Sequence, residues 1–121
     1  MAGVSKGAAG EVLAARFLRS HGYEVLGANY RCRYGEIDLV VQNKEYLVFV
    51  EVKSREEDSY YRPSEAVTAD KQRRIIKTAL HFIARYPNTR QMRFDVLEII
   101  TAKGEPLNAL EINHIQDAYG G

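Results

Sequence analysis

Asp38, Glu51 and Lys53 interrupt two otherwise aliphatic and aromatic runs, Gly35-Glu-Ile-Asp-Leu-Val-Val-Gln42 and Tyr46-Leu-Val-Phe-Val-Glu-Val-Lys-Ser54. An ionised group taken out of water costs roughly several kcal/mol unless a counter-charge or a metal compensates it. Three in one hydrophobic segment call for a chemical reason. Both runs have the β-branched content of central strands, and Asn43-Lys44-Glu45 between them suits a turn, which makes a hairpin. With Lys44-Glu45 as a two-residue turn, Asp38 lies directly across from Glu51; with Asn43-Lys44 the two are diagonal neighbours. Either way they share a face, and Lys53, two residues beyond Glu51, joins them.

Two carboxylates at this spacing repel, and a hard divalent cation relieves the repulsion. Mg²⁺ suits the donors, because it takes one or two protein carboxylates, keeps several waters and often shares its shell with phosphate; Mn²⁺ is the alternative ion. Such an ion polarises a phosphoryl oxygen and lowers the pKa of a bound water. Lys53 beside it could orient or deprotonate that water, or stabilise charge growing on phosphorus. A structural ion triple is the competing reading. It predicts that losing Lys53 alone destabilises the fold, by stranding buried carboxylates.

The elements that must position these groups follow from pattern and punctuation. Ser5 can cap a helix running to about Ser20, closed by His21-Gly22, with Ala8, Val12, Ala15, Phe17 and Leu18 as its apolar side and Glu11 at the edge of that stripe. Tyr23 to Arg33 reads as a strand interrupted at Gly27, followed by the hairpin strands Gly35 to Gln42 and Tyr46 to Ser54. Arg55 to Pro63 reads as a surface loop. Thr68 or Ser64 then caps a long helix stopped at Tyr86-Pro87, with Ile76, Ala79, Leu80 and Ile83 buried and Lys71, Arg74, Thr78 and His81 on another face. Arg93 to Ile100 is a further strand, and a turn at Lys103 to Pro106 leads to a shorter one near Leu110 to Ile115. The expected architecture is a single α/β domain, 1–121, of order α-β-β-β-α-β-β, with a mixed central sheet flanked by helices.

Asp38, twelve intervening residues and then Glu51-Val-Lys53 resemble the D…ExK signature of the PD-(D/E)xK nuclease superfamily, whose restriction-endonuclease-like core has this element order. Lys6-Gly-Ala-Ala-Gly-Glu11, Gly35-Glu-Ile-Asp-Leu-Val40, Phe49-Val-Glu-Val-Lys53 and Arg93-Phe-Asp-Val96 resemble, in order and across nearly the whole chain, the YraN family of small bacterial nuclease-like proteins. The layout is similar to that of archaeal Holliday-junction resolvases, in which a first-helix glutamate joins the metal site; Glu11 matches that position. The resemblance implies a metal-dependent DNA endonuclease, acting on branched or single-stranded DNA, with Asp38, Glu51 and Glu11 as metal ligands and Lys53 as the catalytic cation. Related resolvases act as dimers, and a homodimer would suit a two-fold junction. The departure from the superfamily name is Ile37, where a proline would precede Asp38.

The formal charge of +1 leaves any nucleic-acid interface to the placement of cations, and Lys6, Arg31, Arg33, Lys71 and Arg74 are the candidates for phosphate contacts. Tyr60 and Tyr61 could stack on unpaired bases. Glu36, two before Asp38, is a supporting or spare ligand, and Asp95, within an apolar strand, suits structural use. The lone Cys32 fits a reducing compartment and reads as a small half-buried side chain. His21, His81 and His114 show no metal spacing, which disfavours zinc. No run approaches a membrane span and the N-terminus lacks the apolar continuity of a signal peptide, so a cytoplasmic location is expected. A non-catalytic nucleic-acid-binding module with the same fold is the alternative function.

Overall fold

The computed structural model describes residues 6–59 and 67–120. Ser5, Tyr60, Tyr61 and Ser64, and with them the proposed Ser caps and stacking tyrosines, lie outside the described residues. The elements run α1 (Lys6–Ser20), β1 (Glu24–Cys32), β2 (Gly35–Gln42), β3 (Tyr46–Glu56), α2 (Ala69–Arg85), β4 (Gln91–Ala102) and β5 (Glu105–Tyr119), in the expected order. One five-stranded sheet carries them in spatial order β1-β2-β3-β4-β5, with β3 and β4 parallel and every other neighbouring pair antiparallel. The parallel pair requires a crossover, which α2 supplies.

α1 ends in a Schellman motif. Gly22 takes φ +88°, Tyr23 N–H donates to Leu18 O at 3.0 Å and Gly22 N–H to Arg19 O at 3.2 Å, so carbonyls that the helix leaves open are satisfied by a residue type that accepts the left-handed turn. α2 opens at Thr68, whose hydroxyl accepts from Lys71 N–H at 3.2 Å, and closes at Tyr86, before Pro87. The β2–β3 turn is Lys44-Glu45: Asn43 N–H donates to Tyr46 O, and the Asn43 side chain accepts from Glu45 and Tyr46 N–H. This turn sets Leu39 on Val50 and Val41 on Val48, but the pairing ends at Leu39 and Val50, so the expected pairing of Asp38 across from Glu51 is not formed.

Each sheet face carries its own core. Leu39, Val41, Val48, Val50, Leu97 and Ile99 pack with Leu13, Ala14 and Leu18 of α1. Val40, Leu47, Phe49, Phe94 and Val96 pack with Ile75, Ala79 and Phe82 of α2. Each Val, Leu, Ile or Phe side chain so buried contributes about 1.5–3 kcal/mol.

The helical stripes differ from expectation by about one position. In α1 the buried residues are Ala9, Gly10, Leu13, Ala14 and Leu18, of which Leu18 was expected, while Ala8 and Val12 are exposed. In α2 they are Ile75, Thr78, Ala79 and Phe82; Leu80 is exposed, and Ile76 and Ile83 only flank the core. Ala79 is buried as expected, but Thr78, expected on another face, enters the core because its hydroxyl is satisfied by donating to Arg74 O at 2.8 Å. Three strands also run longer than expected, β4 by two residues at each end. β3 continues to Glu56 alongside β4, and β5 extends from Glu105 to Tyr119, its alternation obscured by register shifts against β4.

Candidate functional site

The strands on which Asp38 and Glu51 lie diverge at the site. β2 pairs with β3 only from Gln42 to Leu39, whereas β2 stays on β1 down to Gly35 and β3 stays on β4 up to Glu56. The sheet therefore forks between Leu39 and Val50. At the fork the inward–outward alternation of β2 slips: Leu39 faces the α1 core, yet Ile37 and Val40 both face the α2 core. Asp38 sits at the slip. Its carboxylate turns into the gap and accepts from Val52 N–H at 2.8 Å, a backbone donor that an unbroken ladder would have given to β2.

Asp38 consequently lines two cavities, one on each side of the fork. The α1-side cavity, about 260 Å³, is bounded by Gly7, Gly10, Glu11, Val52 and Ser54; the α2-side cavity, about 340 Å³, by Gly35, Glu36, Glu51, Lys71, Arg74 and Ile75. Glu11 and Glu51 thus approach Asp38 from opposite sides. A Cβ at Gly10 would stand 3.1 Å from that of Ser54, tighter than ordinary van der Waals contact, so α1 approaches β3 closely here.

The electrostatics record this crowding. Burial pushes the Asp38 carboxyl up to about 6; the Val52 N–H opposes the rise, and the charges of Glu51, Glu11 and Glu36 add to it. Glu51 is buried and takes an ion-pair partner from α2, the Lys71 ammonium. Glu11, half-buried, accepts from the Asn29 amide at 2.8 Å. Asn29 lies on β1 between the Ala28–Leu39 and Tyr30–Ile37 pairs that flank Asp38, in the left-handed region at φ 53° that Asn tolerates better than most residues. Among the described residues no three His, Cys, Asp or Glu side chains are already gathered around a common point suited to a metal ion.

The other expected site residues distribute unevenly. Lys53 lies two residues beyond Glu51, in register with Glu98 of β4, and is not among the described residues lining either cavity. Lys71 and Arg74 line the α2-side cavity. Arg31 pairs with Glu36 at 3.0 Å, and Arg33, at the β1–β2 turn, donates to the Tyr34 hydroxyl at 2.7 Å. Lys6 begins α1, and its side chain lies outside the described part. Cys32 is half-buried, with its thiol 3.8 Å from the Thr78 hydroxyl. The histidines are dispersed: His21 bonds Phe17 O, His81 the Tyr30 hydroxyl, and His114 the Asp95 carboxylate.

A second charged cluster lay outside the sequence reading apart from Asp95. Asp95, fully buried, accepts from Arg93 Nε at 2.9 Å and Nη2 at 2.8 Å, bonds His114 Nε2 at 2.7 Å and accepts from Asp117 N–H at 3.0 Å. Arg93 also donates to the Tyr23 hydroxyl at 2.6 Å. One local signal was present, the i, i+2 spacing of Arg93 and Asp95 on a single strand face. His114 and Tyr23 come from elements remote in sequence.

No helix among the described residues is long and apolar enough to cross a membrane. Comparison with protein families matches residues 10–99, which include both hairpin strands and Glu11, to the Uncharacterised protein family UPF0102. A UPF0102 protein of Rhodococcus opacus is 44% identical over 115 residues, covering 93% of this chain and 94% of its own. Another, from Caldicellulosiruptor bescii, is 46% identical over 113 residues, covering 91% and 92%. A third, from Clostridium botulinum, is 42% identical over 110 residues, covering 89% and 85%. Family match and relatives agree over most of the chain, and the resemblance drawn from its four motifs is borne out: the chain belongs to the family UPF0102.

Proposed function

We propose that the protein is a metal-dependent nuclease that hydrolyses DNA phosphodiester bonds at the fork. The observation that carries this reading is Asp38, a carboxylate held in the gap between two strands, flanked by Glu51 on one side and Glu11 on the other, with its pKa raised by burial and by their charge. An all-oxygen, multiply anionic donor set lining the two cavities fits a hard divalent cation. Asp38, Glu51 and Glu11 would hold Mg²⁺ or Mn²⁺, which when bound supplies Lewis-acid polarisation of a phosphoryl oxygen and a more acidic water.

The chain's own groups have separable tasks. Asp38 is fixed by Val52 N–H, so its outward lone pairs are oriented before anything binds. Lys53, on the Glu51 strand, orients the attacking water or stabilises charge on phosphorus. Lys71 and Arg74, on the cavity wall, attract and position the phosphate backbone, with Arg31, Arg33 and Lys6 as further contacts.

The test is incubation of the purified protein with Mn²⁺ and linear, nicked, single-stranded and four-way DNAs. Cleavage of at least one substrate, falling by about 10²-fold or more in Lys53→Ala, is expected if Lys53 acts in the transition state. No cleavage of any substrate, or cleavage indifferent to that change, overturns the nuclease reading. One observation favours a non-catalytic DNA-binding module instead: Glu51 and Glu11 already have protein partners, Lys71 and Asn29. Metal-independent DNA binding that survives Asp38→Asn would support that reading.

A further inference from the structure

Lys71 belongs to α2, whereas its ion-pair partner Glu51 lies in the middle of the sheet. The two side chains differ in setting: Glu51 is 10% exposed and Lys71 46%. A buried carboxylate beside the raised carboxyl of Asp38 is thus neutralised by a long, partly solvated side chain reaching across a cavity. The residue type matters. A lysine ammonium is a compact point charge on a flexible four-carbon stem, able to leave a carboxylate by rotation about its own bonds; an arginine fork would hold it in two places. Lys71 also stands one helical turn from Arg74, and both line the same cavity, with Gly35, Glu36, Asp38, Glu51 and Ile75 around them.

We infer that Lys71 is an internal counter-ion latch. In the metal-free protein its ammonium takes the place of a divalent cation on Glu51, which lets the buried carboxylate fold without metal. When Glu51 is claimed by a cation, Lys71 swings out beside Arg74 and becomes a phosphate contact. Because one side chain serves two anions in turn, cation and nucleic acid bind with positive coupling: phosphate draws Lys71 from Glu51 and raises metal affinity, and by reciprocity metal raises affinity for phosphate. This rests on the metal reading of the fork, and adds to it a residue that makes loading dependent on substrate.

Mn²⁺ binding, read from the loss of the free-ion electron paramagnetic resonance signal, tests the latch with and without a single-stranded oligodeoxynucleotide. In Lys71→Met, Mn²⁺ should bind on the order of tenfold tighter than in the natural chain without DNA, since no ammonium competes for Glu51. The tightening that the oligonucleotide produces in the natural chain should be lost. Lys71→Arg, which retains the charge, should bind Mn²⁺ no more tightly than the natural chain, and covers the case in which Lys71→Met does not fold. Lys77→Met removes a cation from the same helix that packs over Tyr34 and not on the cavity, and should leave Mn²⁺ affinity unchanged. Equal Mn²⁺ affinity in Lys71→Met and the natural chain, or equal gains in Lys71→Met and Lys77→Met, overturns the latch while leaving the metal site standing. No Mn²⁺ binding by the natural chain or any variant overturns the metal reading, and the latch with it.

Discussion

Asp95 and Asp38 are both aspartates set into sheet strands, and the protein treats them in opposite ways. Burial acts on both to raise the carboxyl pKa. At Asp95 this is outweighed by hydrogen bonds from His114, Arg93 and Asp117 N–H, and the pKa lies below the ordinary carboxylate value. At Asp38 one backbone N–H opposes burial, three neighbouring carboxylates reinforce it, and the pKa rises to about 6. Asp95 has found the partners that repay its desolvation. Asp38 has been left short of positive charge, inside a gap that a ligand can enter. A buried acid whose charge is satisfied is part of the scaffold, and one whose charge is disfavoured is available for chemistry.

The largest effect should come from breaking the satisfied member. Asp95→Ala strands the Arg93 guanidinium in the interior and releases His114 and Asp117, and should cost about 3–5 kcal/mol in chemical denaturation. For Asp95 the folded pKa lies below the unfolded value. Its stabilisation is therefore present above the unfolded pKa and fades as pH falls through the folded one. A loss under 1 kcal/mol would mean that the cluster is not a scaffold.

The disfavoured member should respond with the opposite sign. Asp38→Asn keeps an acceptor for Val52 N–H while removing a charge the fold resists, so the variant should be more stable than the natural chain at pH 8, by about 1–2 kcal/mol after allowance for solvent screening. Because the folded pKa of Asp38 is raised, ionisation penalises the fold as pH climbs from about 4 through about 6. The gain should vanish below about pH 4, and denaturation at pH 8 and pH 4 checks both halves. A destabilised Asp38→Asn at pH 8 would place Asp38 with Asp95 as a structural acid.

The smallest effect belongs to the periphery of the fork. Asn29→Gly preserves the positive φ and removes only the amide that holds Glu11, so stability should change by less than about 1 kcal/mol. A larger loss would make the Glu11 contact part of the scaffold.

Element order, the Thr68 and Gly22 helix ends and the place of the hairpin turn were legible because each depends on residues close together in sequence, whereas the choice between the two hairpin registers fell to the Asn43 bonds seen only in the structure. The helical stripes were less so. Which side of α2 enters the core depends on whether Thr78 can satisfy its hydroxyl locally, and in α1 on Gly10 allowing close approach to Ser54, neither of which a count of aliphatic side chains contains.

The sequence alone determined that charged residues would lie within the strands of one antiparallel hairpin, since its apolar runs and the turn between them are local features. It also determined the family, through four short motifs in order. Only the tertiary structure decided that β2 leaves β3 beyond Leu39, so that Asp38 turns into a fork with Glu11 on one side and Glu51 on the other. Only the tertiary structure brought Lys71 to Glu51, and His114 and Tyr23 to the Arg93–Asp95 pair. The physical reason is the same in each case. Local periodicity states which way a side chain leaves its own strand, while the charge it meets there is set by the packing of elements distant along the chain.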